Sequence, residues 1–539
     1  MARVYAELRS HTTTSADSTL VVRRNCLVHV LHPSPGTANL TAPVVHAQLS
    51  AWWRQKFRFP LELDGENLSR TVNLTDTVFH DLVSLRLSAA VTQLYLSLNV
   101  LAGLEELDVH SSILRDLHRH RNDFKALQAL MVHNFSGEDF DFASQIASVT
   151  DVRLSGGDIA SLDMRQFAAA ATLERLAVES HALTNLVGLE RCAAFEALAF
   201  VGCHALFDLS AVAHLPQLRS FNASGSDATC FTWLSECHQL EELKLASTAF
   251  TNLFYLRDLT LLKVLDISDG DVRSISELSN CVALEKLDIS YCLDITDIAS
   301  LSQLPFLSEV KAHHCGVRDV GGRGGWRALE MMCVADCKEL HSLGGLEGAP
   351  QLKIIDARCS TVEDISGLSR CPLLEAVNFV RCVRLRSLAP LAGAPRLRIV
   401  AAGGSGVSDV SGLGRCPELR AVNFLHCTSL HDISPLAGAP QLTRMIACES
   451  TVRNINGLNS CAMLAVVDFD CCKNLESLSP LAGAPRLHTI IASHSGVQTI
   501  AGLHTCSALR TVELLLCHEL QEGVKTEFKG HERSPLTLL

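Results

Sequence analysis

The sequence predicts a repeat solenoid of the α/β class, in which about 20 short units stack side by side. Three observations lead to this prediction. Apolar residues open a new unit at spacings that are almost all 22 or 23 residues, and the apolar positions inside a unit follow first a strand pattern and then intervals of three. The chain is also 47% hydrophobic but only 5% aromatic, which suits thin layers filled by aliphatic side chains.

The opening residues of the units establish the period. They are Leu82, Leu104, Leu127, Val149, Leu173, Phe195, Leu218, Leu240, Leu262, Leu284, Leu307, Leu329, Leu352, Leu374, Leu397, Leu419, Leu442, Leu464, Leu487 and Leu509. From Leu284 to Leu509 the spacing alternates strictly between 23 and 22 residues, so pairs of units recur every 45 residues. A single unit cannot bury its own apolar edge, and stacking of neighbours therefore has to supply the core.

Each unit divides into a strand and a return segment, and we number its opening residue as position 1. The longer units have apolar residues at positions 1, 4, 6, 12, 15 and 18, as in Leu374, Val377, Phe379, Leu385, Leu388 and Leu391. The first three predict a short strand whose alternate side chains point inward. The later ones, three residues apart, predict a tight 3₁₀-like or irregular return.

The pattern L-x-x-L-x-L is clearest in "LKVLDISDGDVRSISELSNCVAL" from Leu262 and "LEKLDISYCLDITDIASLSQLPFL" from Leu284. It resembles the leucine-rich repeat family, and specifically its internalin-like class of 22 residues. The longer units, with Cys-x-x-Leu/Ile-x-Asp-Ile-Ser-Pro-Leu, resemble leucine-rich repeat proteins of kinetoplastid protists, among them the trypanosome adenylate cyclase regulatory protein. The resemblance implies a curved rod with a concave parallel β-sheet and a convex side of 3₁₀ or irregular segments.

Three regions follow from the extent of the repeats. Residues 81–520 are predicted to form the solenoid, and residues 521–539 a polar C-terminal tail. Residues 1–80 are predicted to be an N-terminal cap or a small non-repeat region, because the aromatic and apolar stretch from His46 to Leu68 suits a cover for the first unit. An alternative is a recruitment module of the F-box type, to which Phe59 to Leu63 bears a slight likeness.

Charge and composition exclude several classes of protein. The net charge of −12 argues against broad nucleic-acid binding, which requires a basic surface. No run approaches the 18 apolar residues of a membrane-spanning helix, and the N-terminal sequence has no apolar core of a secretory signal. We therefore expect a cytoplasmic protein whose 21 cysteines are reduced thiols.

Most cysteines fall into two columns of the repeat. Position 9 holds Cys203, Cys292, Cys315, Cys337, Cys382, Cys427, Cys472 and Cys517, and position 20 of the shorter units holds Cys192, Cys237, Cys281, Cys371, Cys416, Cys461 and Cys506. We predict a structural role in both columns, as small buried residues with weak S–H donors. Cys292, Cys315 and Cys337 lie in consecutive units beside His313 and His314, but no C-x₂-C or H-x₃-H pair accompanies them, and we predict no metal site and no cofactor.

The sequence also predicts no enzymatic activity and no catalytic residues. It contains no G-x-S-x-G elbow and no H-E-x-x-H motif. The glycine-rich stretch from Gly316 to Leu329 lacks the Gly-Lys-Ser/Thr ending of a phosphate-binding loop. We interpret it as a local bulge that Trp326 fills.

The predicted function is a protein-binding scaffold or adaptor that presents its concave sheet to a protein partner. Positions 2, 3, 5, 7 and 8 should point outward, and position 3 becomes apolar from Leu329 onward, through Met331, Ile354, Ala376, Ile399, Ala421 and Val466. The predicted partner-binding residues are Met331, Ile354, Asp356, Asn378, Ile399, Asn423, Ile446, Asp468 and Ile491. A contiguous apolar stripe with polar borders is typical of a partner surface, although neighbouring side chains that cover one another would give the same pattern. Two alternative functions remain open, a regulatory subunit of a cyclase or phosphatase and an F-box-like ubiquitin-ligase substrate adaptor, and the oligomeric state is unknown.

Overall fold

The computed structural model describes residues 18–23, 26–31, 61–65, 71–75, 82–167, 169–322, 325–520 and 537–538. Two compact units divide the chain, the first from Met1 to Ala249 and the second from Phe250 to Leu539. The division falls inside the region that the sequence predicts as one solenoid. Each unit is built from the same strand-and-return repeats.

The first unit is organised around one main β-sheet. Its described strands are β1 (Ser18–Arg23), β2 (Cys26–Leu31), β3 (Leu61–Gly65), β4 (Thr71–Leu74), β5 (Leu82–Leu87), β6 (Gln93–Leu96), β7 (Glu106–His110), β8 (Ala129–His133), β9 (Asp151–Ser155), β10 (Ser161–Asp163), β11 (Arg175–Val178), β12 (Asn185–Val187), β13 (Ala197–Ala199), β14 (Ser220–Asn222) and β15 (Glu242–Lys244). β1 pairs antiparallel with β2, and the series β2, β3, β5, β7, β8, β9, β11, β13, β14, β15 pairs in parallel. β4 with β6 and β10 with β12 form two small parallel pairs outside this sheet.

The early return segments of the first unit are α-helical, which the sequence did not predict. They contain α1 (Leu98–Gly103), α2 (Ser111–Leu117) and α3 (Gly137–Ser144). Asp139 explains the third helix: its fully buried Oδ2 accepts hydrogen bonds from the amide and the hydroxyl of Ser136 at 2.8 and 2.9 Å, and from the Ser111 hydroxyl at 2.6 Å. These bonds satisfy the start of α3 and tie it to α2. The remaining returns of this unit contain the 3₁₀ segments His118–Asp123, Met164–Gln166, Leu189–Arg191, Ser210–His214 and Thr232–Glu236.

The second unit is a parallel sheet in which consecutive strands are neighbours. The strands are β16 (Val264–Asp266), β17 (Lys286–Asp288), β18 (Glu309–Lys311), β19 (Met331–Cys333), β20 (Ile354–Asp356), β21 (Ala376–Asn378), β22 (Ile399–Ala401), β23 (Ala421–Asn423), β24 (Arg444–Ile446), β25 (Val466–Asp468), β26 (Thr489–Ile491), β27 (Thr511–Glu513) and β28 (Thr537–Leu538). Every pair is in register, position for position.

Most of the described return segments of the second unit contain a 3₁₀ turn, as predicted. The turns are Leu253–Leu256, Ser276–Asn280, Ala299–Gln303, Gly344–Leu346, Ser366–Arg370, Ala389–Leu391, Leu413–Arg415, Ser434–Leu436, Leu458–Ser460, Ser479–Leu481 and Leu503–Thr505. The core lies between them and the sheet, and the predicted apolar positions fill it: Leu397, Val400, Ala402 and Val407, for example, are all buried completely. The strand-and-return reading of the repeat is therefore confirmed.

Trp326 fills the glycine-rich bulge, as predicted. It occupies position 20 of its repeat, where most of the other shorter repeats place a cysteine. Its side chain is 1% exposed, and its indole N–H donates to the Val320 carbonyl at 3.3 Å. Between Leu304 and Leu343 the described residues contain no 3₁₀ turn, so the indole replaces the usual packing of the return. Arg323, which the sequence marks as the break in the leucine pattern, lies outside the described residues.

Several predictions for the ends of the chain also fall outside the described residues. Most of the aromatic stretch from His46 to Leu68 does so, and so does the predicted polar tail except for β28. The part of the F-box-like segment that is described, Leu61 to Leu63, belongs to β3 and pairs with β2 and β5 in the sheet. A strand at this point does not support a helical recruitment module. The predicted boundaries of the cap and the tail remain predictions.

The described α-helices are short. The longest, α3, has 8 residues, whereas about 20 are needed to cross a bilayer. Among the residues whose structure is described, no helix is long and apolar enough to span a membrane.

Candidate protein-binding surface

The predicted surface residues of the second unit form two ladders on one face of its sheet. At position 3, each residue lies beside the next one in the ladder, in the order Met331, Ile354, Ala376, Ile399 and Ala421. Position 5, on the same face, aligns Cys333, Asp356, Asn378, Ala401, Asn423, Ile446, Asp468, Ile491 and Glu513. The residue between them, position 4, is buried, because successive side chains of a strand point to opposite faces. We call this the sheet face.

Ile354 and Ile399 are the most exposed apolar members of the predicted site. They are 41% and 50% exposed, with the smaller Ala376 between them. Met331 and Ile446 are half-buried. The position-3 ladder is interrupted after Ala421 by Arg444, an exposed residue that the prediction passed over. Beyond it the larger apolar residues are at position 5, in Ile446 and Ile491, so the apolar stripe changes column.

The polar members of the predicted site have a local structural role. The Oδ1 atoms of Asp356, Asn378, Asn423 and Asp468 each accept a hydrogen bond from the backbone amide two residues later, at 2.9–3.2 Å. Asp and Asn make such turns readily, and here the turn ends the strand. The recurrence of Asp or Asn at position 5, already in Asn222, Asp266 and Asp288, is the sequence signal for this role. Since Oδ1 of each residue is used in the turn, the other oxygen or nitrogen of the side chain is the atom that can contact a partner.

Ion pairs border the apolar stripe at position 2. Lys353 contacts Glu330 at 2.8 Å, and Arg398 contacts Glu375 at 3.1 Å and Glu418 at 2.9 Å. The hydrogen bond with Glu418 and the negative charge of Glu375 raise the pKa of the Arg398 guanidinium. The stripe thus has the polar border that is typical of a partner surface.

The preceding strands of the second unit present charge instead. Glu309 contacts Lys311 at 3.0 Å and Lys286 at 3.4 Å. The hydrogen bond to Glu309 raises the pKa of Lys311. Cys333, the next residue in the position-5 ladder, is buried, and its thiol lies 3.4 Å from Nδ1 of His313. The sheet face therefore changes from charged to apolar at β19.

The strand exit carries an exposed row at position 8, where the sequence predicts outward-pointing side chains, but with a left-handed backbone that the sequence did not predict. Position 8 has a left-handed backbone in the repeats of the second unit, with φ between 53° and 64° for residues as large as Tyr291, His314, Arg381 and Leu516. In the repeats before the last, the amide of such a residue donates to the position-7 carbonyl of the next repeat, as Tyr291 does to His313 at 2.6 Å, His314 to Ala335 at 2.9 Å and Arg381 to Gly403 at 2.7 Å. Tyr291 is 52% exposed, and its ring stacks on His314 with centroids 4.7 Å apart. Non-glycine residues adopt this conformation rarely, so the cross-repeat bond holds them there.

The cysteines have the structural role that was predicted. The position-9 thiols donate to the position-6 carbonyl of the preceding repeat, as in Cys382 to Ala357 at 3.1 Å and Cys427 to Ala402 at 3.0 Å. Burial raises the pKa of Cys382 to about 11. The position-20 thiols are buried as well, and Cys416 donates to Leu391 at 3.3 Å. A feature that was missed is that serine takes position 9 in the alternate repeats: Ser360, Ser405, Ser450 and Ser495 lie 3.4–3.7 Å from the next cysteine sulfur.

Cys292, Cys315 and Cys337 use their thiols in the same way. Cys315 donates to the Ile289 carbonyl and Cys337 to the Ala312 carbonyl, both at 3.0 Å. Over the described part of the chain, no group of three or more His, Cys, Asp or Glu side chains is placed to hold a metal ion.

Comparisons with solved structures recognise this architecture. The chain matches the structure of the Toll–Spatzle complex from Drosophila at 14% identity, over 72% of this chain and 60% of that one, with a TM-score of 0.58. It matches the crystal structure of a TLR13–ssRNA13 complex at 15% identity, over 84% of this chain and 77% of that one, with a TM-score of 0.54. The fold is that of a leucine-rich repeat protein.

A third match is an internalin (inlF) from Listeria monocytogenes, at 19% identity over 60% of this chain and 88% of that one, with a TM-score of 0.46. No family model and no curated protein matches the chain. At these identities the likeness concerns the fold, and the resemblance of the longer repeats to kinetoplastid proteins remains a prediction.

Proposed function

We propose that the chain is a protein-binding scaffold whose second unit holds a protein partner on its sheet face. The apolar stripe at position 3 carries this proposal. Ile354 and Ile399 are about half exposed on alternate repeats of one ladder, with Ala376 between them, and ion pairs border them. Completing the burial of each isoleucine would stabilise a complex by about 1 kcal/mol. The predicted concave shape of this face would add to the area that a partner covers.

The charge of the chain favours a protein over a nucleic acid. The matched structures hold different ligands, since one is a complex with ssRNA13 and the other is a complex with Spatzle. The fold alone therefore does not select the ligand. In this chain the net charge is −12, and Asp356, Asp468 and Glu513 lie in the position-5 ladder of the proposed surface. Phosphate groups would meet carboxylates there.

On this proposal the second unit binds and does not catalyse. The role of a regulatory subunit for a cyclase or phosphatase is one form that such binding can take. The ubiquitin-ligase adaptor has less support, because Leu61 to Leu63 lie in strand β3. We also propose a cytoplasmic location, since the position-9 and position-20 thiols donate hydrogen bonds and must be reduced to do so.

The experiment compares two matched pairs of substitutions in the full chain. Ile354→Asp with Ile399→Asp places charges on the sheet face. Leu293→Asp with Val383→Asp makes the same change at residues that are 70% and 60% exposed but lie at position 10, beyond the strand. Proximity labelling in cells, followed by binding of the purified partner, should show that the first pair weakens the complex at least 10-fold and the second does not.

A photo-crosslinking amino acid in place of Ile399 should capture the same partner, whereas one in place of Val383 should not. Unfolding by urea checks that all variants are folded. If the Ile354→Asp/Ile399→Asp variant binds as the unchanged chain does, the sheet face is not the site.

A further inference from the structure

A chain of hydrogen bonds crosses four neighbouring strands of the first unit. Arg86 on β5 donates from Nε to Oδ2 of Asp108 on β7 at 3.0 Å. Oδ1 of Asp108 lies 2.8 Å from Nε2 of His133 on β8. Nδ1 of His133 lies 2.9 Å from Oγ of Ser155 on β9. A carboxylate, an imidazole and a hydroxyl are thus connected in series on the sheet.

The carboxylate decides which ring nitrogen carries the proton. An ionised Asp108 can only accept, so Nε2 of neutral His133 is the nitrogen that donates to it. Nδ1 then has a free electron pair and accepts the hydroxyl proton of Ser155. Asp108 is held in turn by Arg86, and its side chain is only 13% exposed while that of His133 is 54% exposed. In the serine proteases, too, a carboxylate orients a histidine that deprotonates a serine. The ring nitrogens are exchanged here, because Nε2 contacts the carboxylate and Nδ1 contacts the serine.

The backbone beside Ser155 lacks a bond that several repeats of this unit make. At three strand exits the position-8 amide donates to the next repeat: Asn134 to the Ser155 carbonyl at 2.7 Å, Gly202 to Ser224 at 2.8 Å and Gly225 to Ala246 at 2.8 Å. Among the described residues no such bond is made by Ser180, in the repeat after Ser155, or by Gly156. Gly156 follows Ser155 in the left-handed conformation, with φ 69°, and its amide makes no such bond within the described residues. The amide next to the hydroxyl is therefore available to an oxyanion.

A small pocket opens where this ladder is interrupted. It has a volume of about 150 Å³ and is lined by Ser155 and by the apolar side chains of Ala177, Val178, Ala199 and Val201. These residues come from the ends of β9 and β11 and from β13 and the residues that follow it. The pocket places an apolar wall next to the hydroxyl that His133 can deprotonate.

We propose that Ser155 is a nucleophile that hydrolyses esters of short acyl groups, with His133 as its general base and Asp108 as the residue that positions His133. Oγ attacks the acyl carbon while its proton moves to Nδ1 of His133. The leaving alcohol takes that proton as the ester C–O bond breaks. Water then attacks the acyl-serine and gives a proton to Nδ1 of His133. As the bond between the acyl carbon and Oγ breaks, that proton passes from Nδ1 to Oγ, so the carboxylic acid is released and both Ser155 and neutral His133 are restored.

The apolar lining and the small volume define the substrate class. The pocket suits an acyl chain of a few carbon atoms rather than a long lipid chain. Arg153 and Glu179 also line it and supply one charge of each sign, so neither an anionic nor a cationic acyl group is favoured. This activity is independent of the protein binding proposed for the second unit, and it departs from the sequence prediction that the chain is not an enzyme.

The test is labelling of the purified full chain with a fluorophosphonate probe, with the modified residue located by mass spectrometry. We expect an adduct on Ser155 that is absent in Ser155→Ala and forms on the order of 10²-fold more slowly in His133→Ala. Hydrolysis of p-nitrophenyl acetate should fall in parallel, and p-nitrophenyl palmitate should be a poor substrate. Asp108→Asn should slow both reactions without changing the pocket.

Ser220 provides the matched control. It lies on the same sheet in β14, is half-buried like Ser155, and donates to the Glu242 carboxylate at 3.0 Å with no histidine in between. Ser220→Ala should leave labelling unchanged. Circular dichroism establishes that each variant is folded. Absence of an adduct on Ser155, or an adduct whose rate is the same in His133→Ala, would overturn the proposal.

Discussion

Replacing Cys427 by alanine tests whether the position-9 thiols connect consecutive repeats. The Cys427 side chain is fully buried, and its thiol donates to the Ala402 carbonyl at 3.0 Å. The hydroxyl of Ser405, in the repeat before, lies 3.7 Å from the same sulfur. The Ala402 carbonyl also accepts the Ser405 amide at 3.1 Å, so it keeps one partner when the thiol is removed.

Two contributions set the expected loss of stability. A neutral hydrogen bond contributes about 0.5–1.5 kcal/mol, and a weak S–H donor belongs at the lower end of that range. Deleting one buried heavy atom costs roughly 1 kcal/mol in lost transfer free energy and packing. Cys427→Ala should therefore lower the free energy of unfolding by about 1–2 kcal/mol. Cys427→Ser should cost less, since it keeps a donor at a position where alternate repeats already have serine.

Equilibrium unfolding in urea, followed by far-ultraviolet circular dichroism, measures these differences. Hydrogen exchange of the amides in β22 to β24 shows whether the loss is local to the altered repeat. Thr428→Ala, at the exposed neighbouring residue, is the control and should stay within about 0.5 kcal/mol of the unchanged chain. An alanine variant as stable as the unchanged chain would refute the reasoning, as would a serine variant less stable than the alanine one.

Three further predictions follow from local contacts. Iodoacetamide should modify Cys230 before the position-9 thiols in the folded chain. A hydrogen bond with Thr232 at 3.4 Å lowers the pKa of this exposed thiol, whereas burial raises the pKa of position-9 thiols such as Cys382. Mass spectrometry after labelling at a series of pH values measures the order of modification. Trp326→Ala should destabilise the second unit by about 3–5 kcal/mol in urea unfolding, while Trp326→Phe keeps most of the packing. Asn423→Ala should cost about 1 kcal/mol in urea unfolding by removing the acceptor of the turn amide, and it should leave partner capture intact, whereas Asn423→Asp keeps the turn.

The sequence was sufficient to predict the strands, the 3₁₀ returns and the two cysteine columns, since each depends on the period of apolar residues. It did not predict α1 to α3. The buried carboxylate of Asp139 stabilises α3 through Ser111, a residue of the preceding repeat, and a pattern within one repeat does not contain that contact. The bulge at Trp326 was predictable because the leucine pattern breaks within the glycine-rich stretch from Gly316 to Leu329.

The candidate surfaces were predictable only in part, for the same reason. Positions 3 and 5 were correctly expected to point outward, but the roles of Asp356 and Asn423 in the strand exit come from bonds to the backbone two residues away. The series Asp108, His133 and Ser155 could not be found by a motif search, because its members are 22 to 25 residues apart and meet only when the strands are in register. A search for side chains one repeat apart on outward positions would have found it.

The structural roles limit where recognition can take place on the second unit. Positions 1, 4 and 6 fill the core, position 5 ends the strand, position 8 supports the next repeat and position 9 supports the preceding one. Position 3 has none of these duties, so its side chains can vary without disturbing the fold. Ile354 and Ile399 are two strands apart, about 10 Å, with a small alanine between them. A partner that binds this ladder should therefore present apolar groups about 10 Å apart, one against each isoleucine. This distance corresponds to two repeats, which is the 45-residue period of the sequence.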